Sequence, residues 1–167
     1  MIHIKTEKEL EKMRVAGRLT AIARKAAADA VKPGVTTWEI DRIVRKTIED
    51  AGAKPSFLGY GGFPATVCSS VNQVVCHGIP SATEVLKDGD IINIDVAVIK
   101  DGWHGDTSRM YYVGEPSKAA RKLVETTYAA MWAGIRAVKP RATLGDVGFA
   151  IQTVAEKRSE ERRVGKE

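Results

Sequence analysis

The stretch NIDVAVIKDGWHGDTS, residues Asn93 to Ser108, decides the fold. Asp101-Gly102 between two β-forming runs is the signature of a two-residue hairpin turn. Such a turn pairs Lys100 with Trp103 and, counting back, Asp95 with Ser108. Residues 95, 97 and 99 then share one face of the hairpin with 104, 106 and 108. Asp95 and Asp106 become diagonal neighbours on that face, roughly 7–8 Å apart at Cα and closer at the side chains. Ile92, Ile94, Val96 and Val98 take the other face and predict a buried apolar layer.

Carboxylates are rare in strand interiors. Two that converge repel each other, unless one holds a proton or a cation lies between them. Oxygen donors of this kind suit manganese, magnesium, iron(II) or zinc. Two ligands make an incomplete site, and two acids at this spacing are a weak signal. Asp106 capping Gly105, or Asp95 marking a strand end, explains the spacing equally. His77, in VVCHGIP, follows a β-like segment and could reach into a cleft, or could be an ordinary packed or surface histidine. His104 lies beside Asp106, as an outer partner or simply exposed.

Outward from the hairpin, Thr6-Glu7-Lys8-Glu9 and Thr36-Thr37-Trp38-Glu39 are capping boxes. The first opens a long helix running to Val31, which Lys32-Pro33-Gly34 stops; the second opens a helix ending at Gly52. GYGGFP, Gly59 to Pro64, is a glycine-rich loop without the following helix of a nucleotide fingerprint. TVCSSVN and VVCHGIP both read as short β segments. Lys118 to Lys139 is helical, Pro140 stops it, and Thr143 caps a last helix towards Lys157.

AVKPGVTTWEIDRIV, from Ala30, recurs as AVKPRATLGDVGFAI, from Ala137, at an offset of 107 residues. Helix, proline stop, threonine cap and helix thus occur twice, which points to a duplication. At that offset, the strands of a second copy would begin near residue 165. The tail RSEERRVGKE, residues 158–167, lacks the apolar period of the preceding helix. It matches one reading frame of a short-read sequencing adapter and is expected to be non-native. Residues 1–157 are then a C-terminally truncated part of a catalytic domain.

The 167 residues are 44% hydrophobic and 28% charged, which places the chain among globular proteins. Its apolar runs are too short to cross a membrane, and MIHIKTEKELEKM has no signal-peptide core, so a cytoplasmic location is expected. Cys68 and Cys76 are expected as free thiols there, although a disulfide is conceivable. Neither has an evident paired base. The net charge of +5 suits a solvated surface, and would also suit weak contact with an RNA-rich partner such as a ribosome.

Taken together, EKMRVAGRL, KPGVTT, LGYGGFP, VCSSVNQVVCHGIP, LKDGDIINIDV and DGWHGDTSRM resemble the bacterial type I methionine aminopeptidases over residues 4–157. The resemblance implies an α+β chain: the N-terminal half of the pseudo-symmetric pita-bread fold, an antiparallel sheet with helices on one side. It implies that Asp95 and Asp106 are metal ligands. The other ligands, a histidine and two glutamates, belong to the second half and are not in this chain. His77 matches the histidine that contacts the substrate and stabilises the reacting peptide group. Tyr60, Phe63 and Cys68 match the lining of the methionine pocket. Phe63 stands where a tyrosine is common, and Ala97 where a threonine often occurs.

The implied chemistry is hydrolysis assisted by two divalent ions, whether manganese, iron(II), cobalt or zinc. The implied substrate is the N-terminal methionine of a nascent polypeptide whose second residue is small. The resemblance also implies a monomer, without DNA or membrane partners, and this chain alone is expected to be inactive. The competing readings are a non-catalytic interaction module and a proline-specific peptidase of the same fold.

Overall fold

The computed structural model describes residues 3–158, so the expected foreign tail, residues 158–167, lies outside the described residues except for Arg158. Two compact units emerge, divided at Pro116 and Ser117.

The first unit opens with helix α1, Glu7–Ala30, and helix α2, Thr37–Asp50. Both capping boxes form. Thr6 N–H donates to the Glu9 carboxylate at 2.7 Å, and Thr36 N–H to the Glu39 carboxylate at 2.8 Å. These bonds satisfy amides that a helix start leaves open. They also hold both carboxyls below their ordinary range, Glu9 at about 2.

The sheet contains β1, Lys54–Pro55; β2, Val67–Val71; β3, Ile91–Lys100; and β4, Trp103–Tyr112. All pairings are antiparallel. β3 has β4 along one edge and β2 and β1 along the other. Asp101 and Gly102 have φ of 51° and 81°, the double left-handed geometry of a hairpin turn whose twist matches its strands. Lys100 pairs with Trp103, Asp95 with Ser108 and Ala97 with Asp106, as the turn predicts.

Ile92, Ile94, Val96 and Val98 are fully buried, and pack with Ile40, Val44 and Ile48 of α2 and Ala23 and Ala27 of α1. Both helices therefore cover one face of the sheet. The buried positions of α1, namely Ala16, Thr20, Ala23 and Ala27, are all small, which lets its backbone lie close to the strands.

VVCHGIP is not a strand, contrary to the sequence reading. Valine favours β structure, but Asn72 and His77 adopt φ of 51° and 56°, which a ladder does not accommodate. Two points of it touch β2: Val74 N–H donates to Val71 O at 3.0 Å, and Gly78 O accepts from Ser69 N–H at 2.8 Å.

One buried acid was invisible in the sequence. Asp41 of α2 is 3% exposed, and its Oδ1 accepts from Thr66 N–H at 2.7 Å and Val67 N–H at 2.9 Å. Burial raises its pKa, and the two amides oppose that rise. It ties the start of β2 to α2. Asp41→Ala leaves both amides buried and unpaired, and should cost about 2–4 kcal/mol in urea unfolding. Asp41→Asn keeps a carbonyl acceptor and should lose less. Equal losses would mean that the carbonyl does not hold the amides.

The second unit holds helices α3, Lys118–Ala137, and α4, Leu144–Arg158. It repeats the first pair at the 107-residue offset. Val31 N–H closes on Ala28 O, as Val138 N–H closes on Ile135 O, each at 3.2 Å. Thr143 and Asp146 form the cap that Thr36 and Glu39 form earlier. The matched positions differ in cover. Val44 is fully buried on its sheet, whereas Ile151 is 38% exposed, and α4 has no buried residue.

Candidate metal and substrate site

β3 presents Asp95 at mid-strand, with Cys68 of β2 directly opposite on one side and Ser108 of β4 on the other. Asp106 arrives diagonally, because the two-residue turn fixes the register. Behind them lies the apolar core, so the strands that carry the pair cannot easily yield.

The two carboxyls are close enough for the charge of Asp106 to act on Asp95. Asp95 is pushed up to about 6. Burial is the largest cause, followed by the charge of Asp106 and the hydrogen bond to it. His77 and the Val96 N–H pull the other way. The Cys68 thiol rises to about 11, first from burial and then from the neighbouring Asp95, Cys76 and Asp106. A thiol that hard to ionise is a poor nucleophile at neutral pH. Cys68 and Cys76 are free, as expected.

The pair fits a divalent cation as far as two ligands can. Asp95 Oδ1 is buried and has no hydrogen-bond partner. A buried carboxylate oxygen left bare in this way is costly unless a cation or a proton meets it. Among the described residues, no group of three or more histidine, cysteine, aspartate or glutamate side chains converges on one point.

The other sequence candidates spread around the pair. His77 is exposed, in the left-handed region, and close enough to Asp95 to favour its charged form. Tyr60 begins a short 3-10 turn, Tyr60–Gly62, after Gly59 at φ 83°, and is 81% exposed. Phe63 is half-buried and stacks edge-on against Phe57 at 6.4 Å between ring centres. The loop that bears both is tied to β3 where Ser56 N–H donates to Ala97 O at 2.9 Å, two residues from Asp95. His104 bonds Ser56 Oγ at 3.1 Å through Nδ1, so it braces that loop. The sequence reading missed Ser56 and Ser70, whose contacts span loops and carry no local signal.

Residues 11–166 match metallopeptidase family M24. The methionine aminopeptidase of Rickettsia prowazekii (strain Madrid E) is 52% identical over 156 residues, 93% of this chain and 60% of that protein. The methionine aminopeptidase of Escherichia coli (strain K12) is 50% identical over 156 residues, 93% of this chain and 59% of that protein. The chain thus spans about 60% of the length of the curated relatives it matches. The crystal structure of the Rickettsia prowazekii enzyme superposes with a TM-score of 0.91 at 52% identity, covering 94% of this chain and 63% of that one. An X-Pro aminopeptidase from Thermotoga maritima shares the fold at a TM-score of 0.78 and 21% identity, over 93% of this chain and 43% of that one. Among the described residues, no helix is long and apolar enough to cross a membrane.

Proposed function

Because the chain belongs to metallopeptidase family M24, we propose that its whole protein removes the N-terminal methionine of nascent polypeptides by metal-assisted hydrolysis. The observation that carries this reading is the Asp95–Asp106 pair with its bare buried oxygen, in a chain half identical to methionine aminopeptidases. The likeness to proline-specific enzymes stands near 20% identity and reaches no further than the fold.

Asp95 and Asp106 would hold the metal. Two divalent ions, whether manganese, iron(II), cobalt or zinc, would supply Lewis-acid polarisation of the scissile carbonyl and activation of water. The chain's own residues do the rest. His77 donates a hydrogen bond to the reacting peptide group, where negative charge develops. Cys68, kept neutral by its surroundings, contributes apolar wall, and Phe63 and Tyr60 close over the methionine side chain. Phe63 has no hydroxyl, so this part of the pocket reads shape alone. Ala97 likewise offers the metal site no hydroxyl. We further place the protein in the cytoplasm as a monomer, in weak contact with ribosomes, and not with DNA or membranes.

The test is to assay the whole protein, loaded with manganese, on Met-Ala-Ser. Methionine release supports the reading. Cleavage of an Xaa-Pro peptide instead would make it a proline peptidase, and no cleavage of either an interaction module. The 167 residues alone should release no methionine under these conditions, since only two carboxylates converge among the described residues. Clear turnover by them would show that the site is complete without further ligands.

A further inference from the structure

We propose that Ser70 is a positioning residue, whose hydroxyl fixes the backbone that aims His77 at the aspartate pair. The inference rests on the reading of His77 as the group that meets the substrate's peptide bond.

His77 has φ of 56°, a region that costs a residue with a Cβ about 1–2 kcal/mol. Such a conformation persists only where the surroundings impose it. The chain before it is anchored: the Asn72 side chain donates to Asp90 Oδ1 at 2.8 Å and accepts from Ile91 N–H at 3.1 Å. The chain after it is anchored too. Ser81 N–H donates to Thr37 Oγ1 at 2.8 Å, beside the buried Pro80. Between these anchors, Val74, Val75, Cys76 and His77 are exposed.

The fixing point next to His77 is Gly78. Its carbonyl accepts from Ser69 N–H at 2.8 Å, and its N–H donates to Ser70 Oγ at 3.2 Å. In a regular antiparallel pair that N–H would return to the Ser69 carbonyl. Here it is taken one residue further along, by a side chain. That displacement is where the ladder stops and the left-handed turn begins. A Cβ on Gly78 would overlap the Ser69 carbonyl oxygen and stand 2.7 Å from its carbon, so the backbone lies directly on β2. Ser70 is 2% exposed, which makes its hydroxyl a rigid acceptor supplied from within the sheet. It lies two residues from Cys68, on the face that carries Asp95.

The experiment is nuclear magnetic resonance on the labelled, metal-free chain, comparing wild type with Ser70→Ala and Ser70→Thr. Ser70→Ala should speed amide exchange at Gly78 by about 5- to 10-fold, the worth of one hydrogen bond. The backbone coupling that reports φ at His77 should average. Val67 and Val96 amides should keep their protection, and Ser70→Thr should restore both signals. Unchanged Gly78 exchange and His77 coupling in Ser70→Ala would overturn the proposal. So would equal loss of protection at Val67 and Val96, which would make Ser70 a support of the sheet. If Ser70→Ala does not fold, Ser70→Thr against Ser70→Val makes the same comparison at constant shape. None of these signals needs metal or turnover. A whole protein that is inactive with His77 correctly held would therefore sink the proposed function and leave Ser70 in its role.

Discussion

Asp95→Asn is expected to stabilise the metal-free chain at pH 7.5 while abolishing activity of the whole protein. The folded chain holds the Asp95 proton to about pH 6, above the ordinary aspartate value. Below about pH 4, both the folded and unfolded forms are protonated and the group contributes nothing. As pH rises from about 4 to about 6, the unfolded chain ionises first, so stability falls. Above pH 6 the folded form carries the whole cost of a buried charge beside Asp106. Asparagine removes that charge and keeps the shape. After allowance for solvent around the partly buried site, the gain at pH 7.5 should be roughly 1–2 kcal/mol. The comparison must be variant minus wild type, because Glu9, Glu39 and Asp146 are lowered and have the opposite slope.

Urea unfolding at pH 4, 5.5 and 7.5 reads the effect. The two proteins should differ little at pH 4 and diverge by pH 7.5. A variant that is weaker at pH 7.5, or a constant difference across the range, would remove Asp95 as a strained acid. Activity should move the other way. On the proposed function the variant loses a metal ligand, so turnover of the whole protein should drop by more than the roughly 10–100-fold that follows loss of an outer partner. Manganese should protect the whole wild-type protein against unfolding more than it protects the variant.

The pair was legible because local rules fixed it. Asp101-Gly102 dictates a turn, the turn dictates register, and the period of two dictates the face. The helix starts were equally local, since a capping box needs only four consecutive residues. What escaped notice was non-local or masked by propensity. Asp41 serves amides 25 and 26 residues away, and no spacing rule joins it to Thr66 and Val67. VVCHGIP has β-forming valines, yet its path follows the anchors at Asn72, Gly78 and Ser81. The family resemblance named Asp95, Asp106 and His77 together; the structure adds what holds them, namely the buried row of β3 and the Gly78 contact with β2. The repeat also gains meaning, since it shows one helix design twice, with a sheet on the first copy's apolar stripe.

Gly105→Val should all but unfold the first unit, and Gly105→Ala should already cost about 3 kcal/mol. Gly105 lies in β4 opposite Val98, on the face that meets α1. Its backbone φ is unexceptional, so the demand is for space. A Cβ there would stand 2.6 Å from both the carbonyl carbon and oxygen of Ala16, and would also strike Thr20 Oγ1. Side chains can rotate away, but a helix carbonyl cannot, so α1 would have to lift. Lifting it uncovers Ala16, Thr20, Ala23 and Ala27, which are buried together. Alanine does recover about 0.5–1 kcal/mol of backbone entropy relative to glycine, which is too little to offset the clash. A double mutant separates the two contacts. Thr20→Ala removes the hydroxyl and the γ-methyl but leaves the helix backbone in place, so it should rescue little of the Gly105→Ala loss if the helix backbone is the obstacle. Full rescue would put the obstacle in the side chain, and a loss below about 0.5 kcal/mol would mean that α1 is free to shift. Asp106 is the next residue on β4, so whatever moves the strand at Gly105 also moves half of the carboxylate pair. The closeness of α1 is thus a condition of the site's geometry as well as of the core.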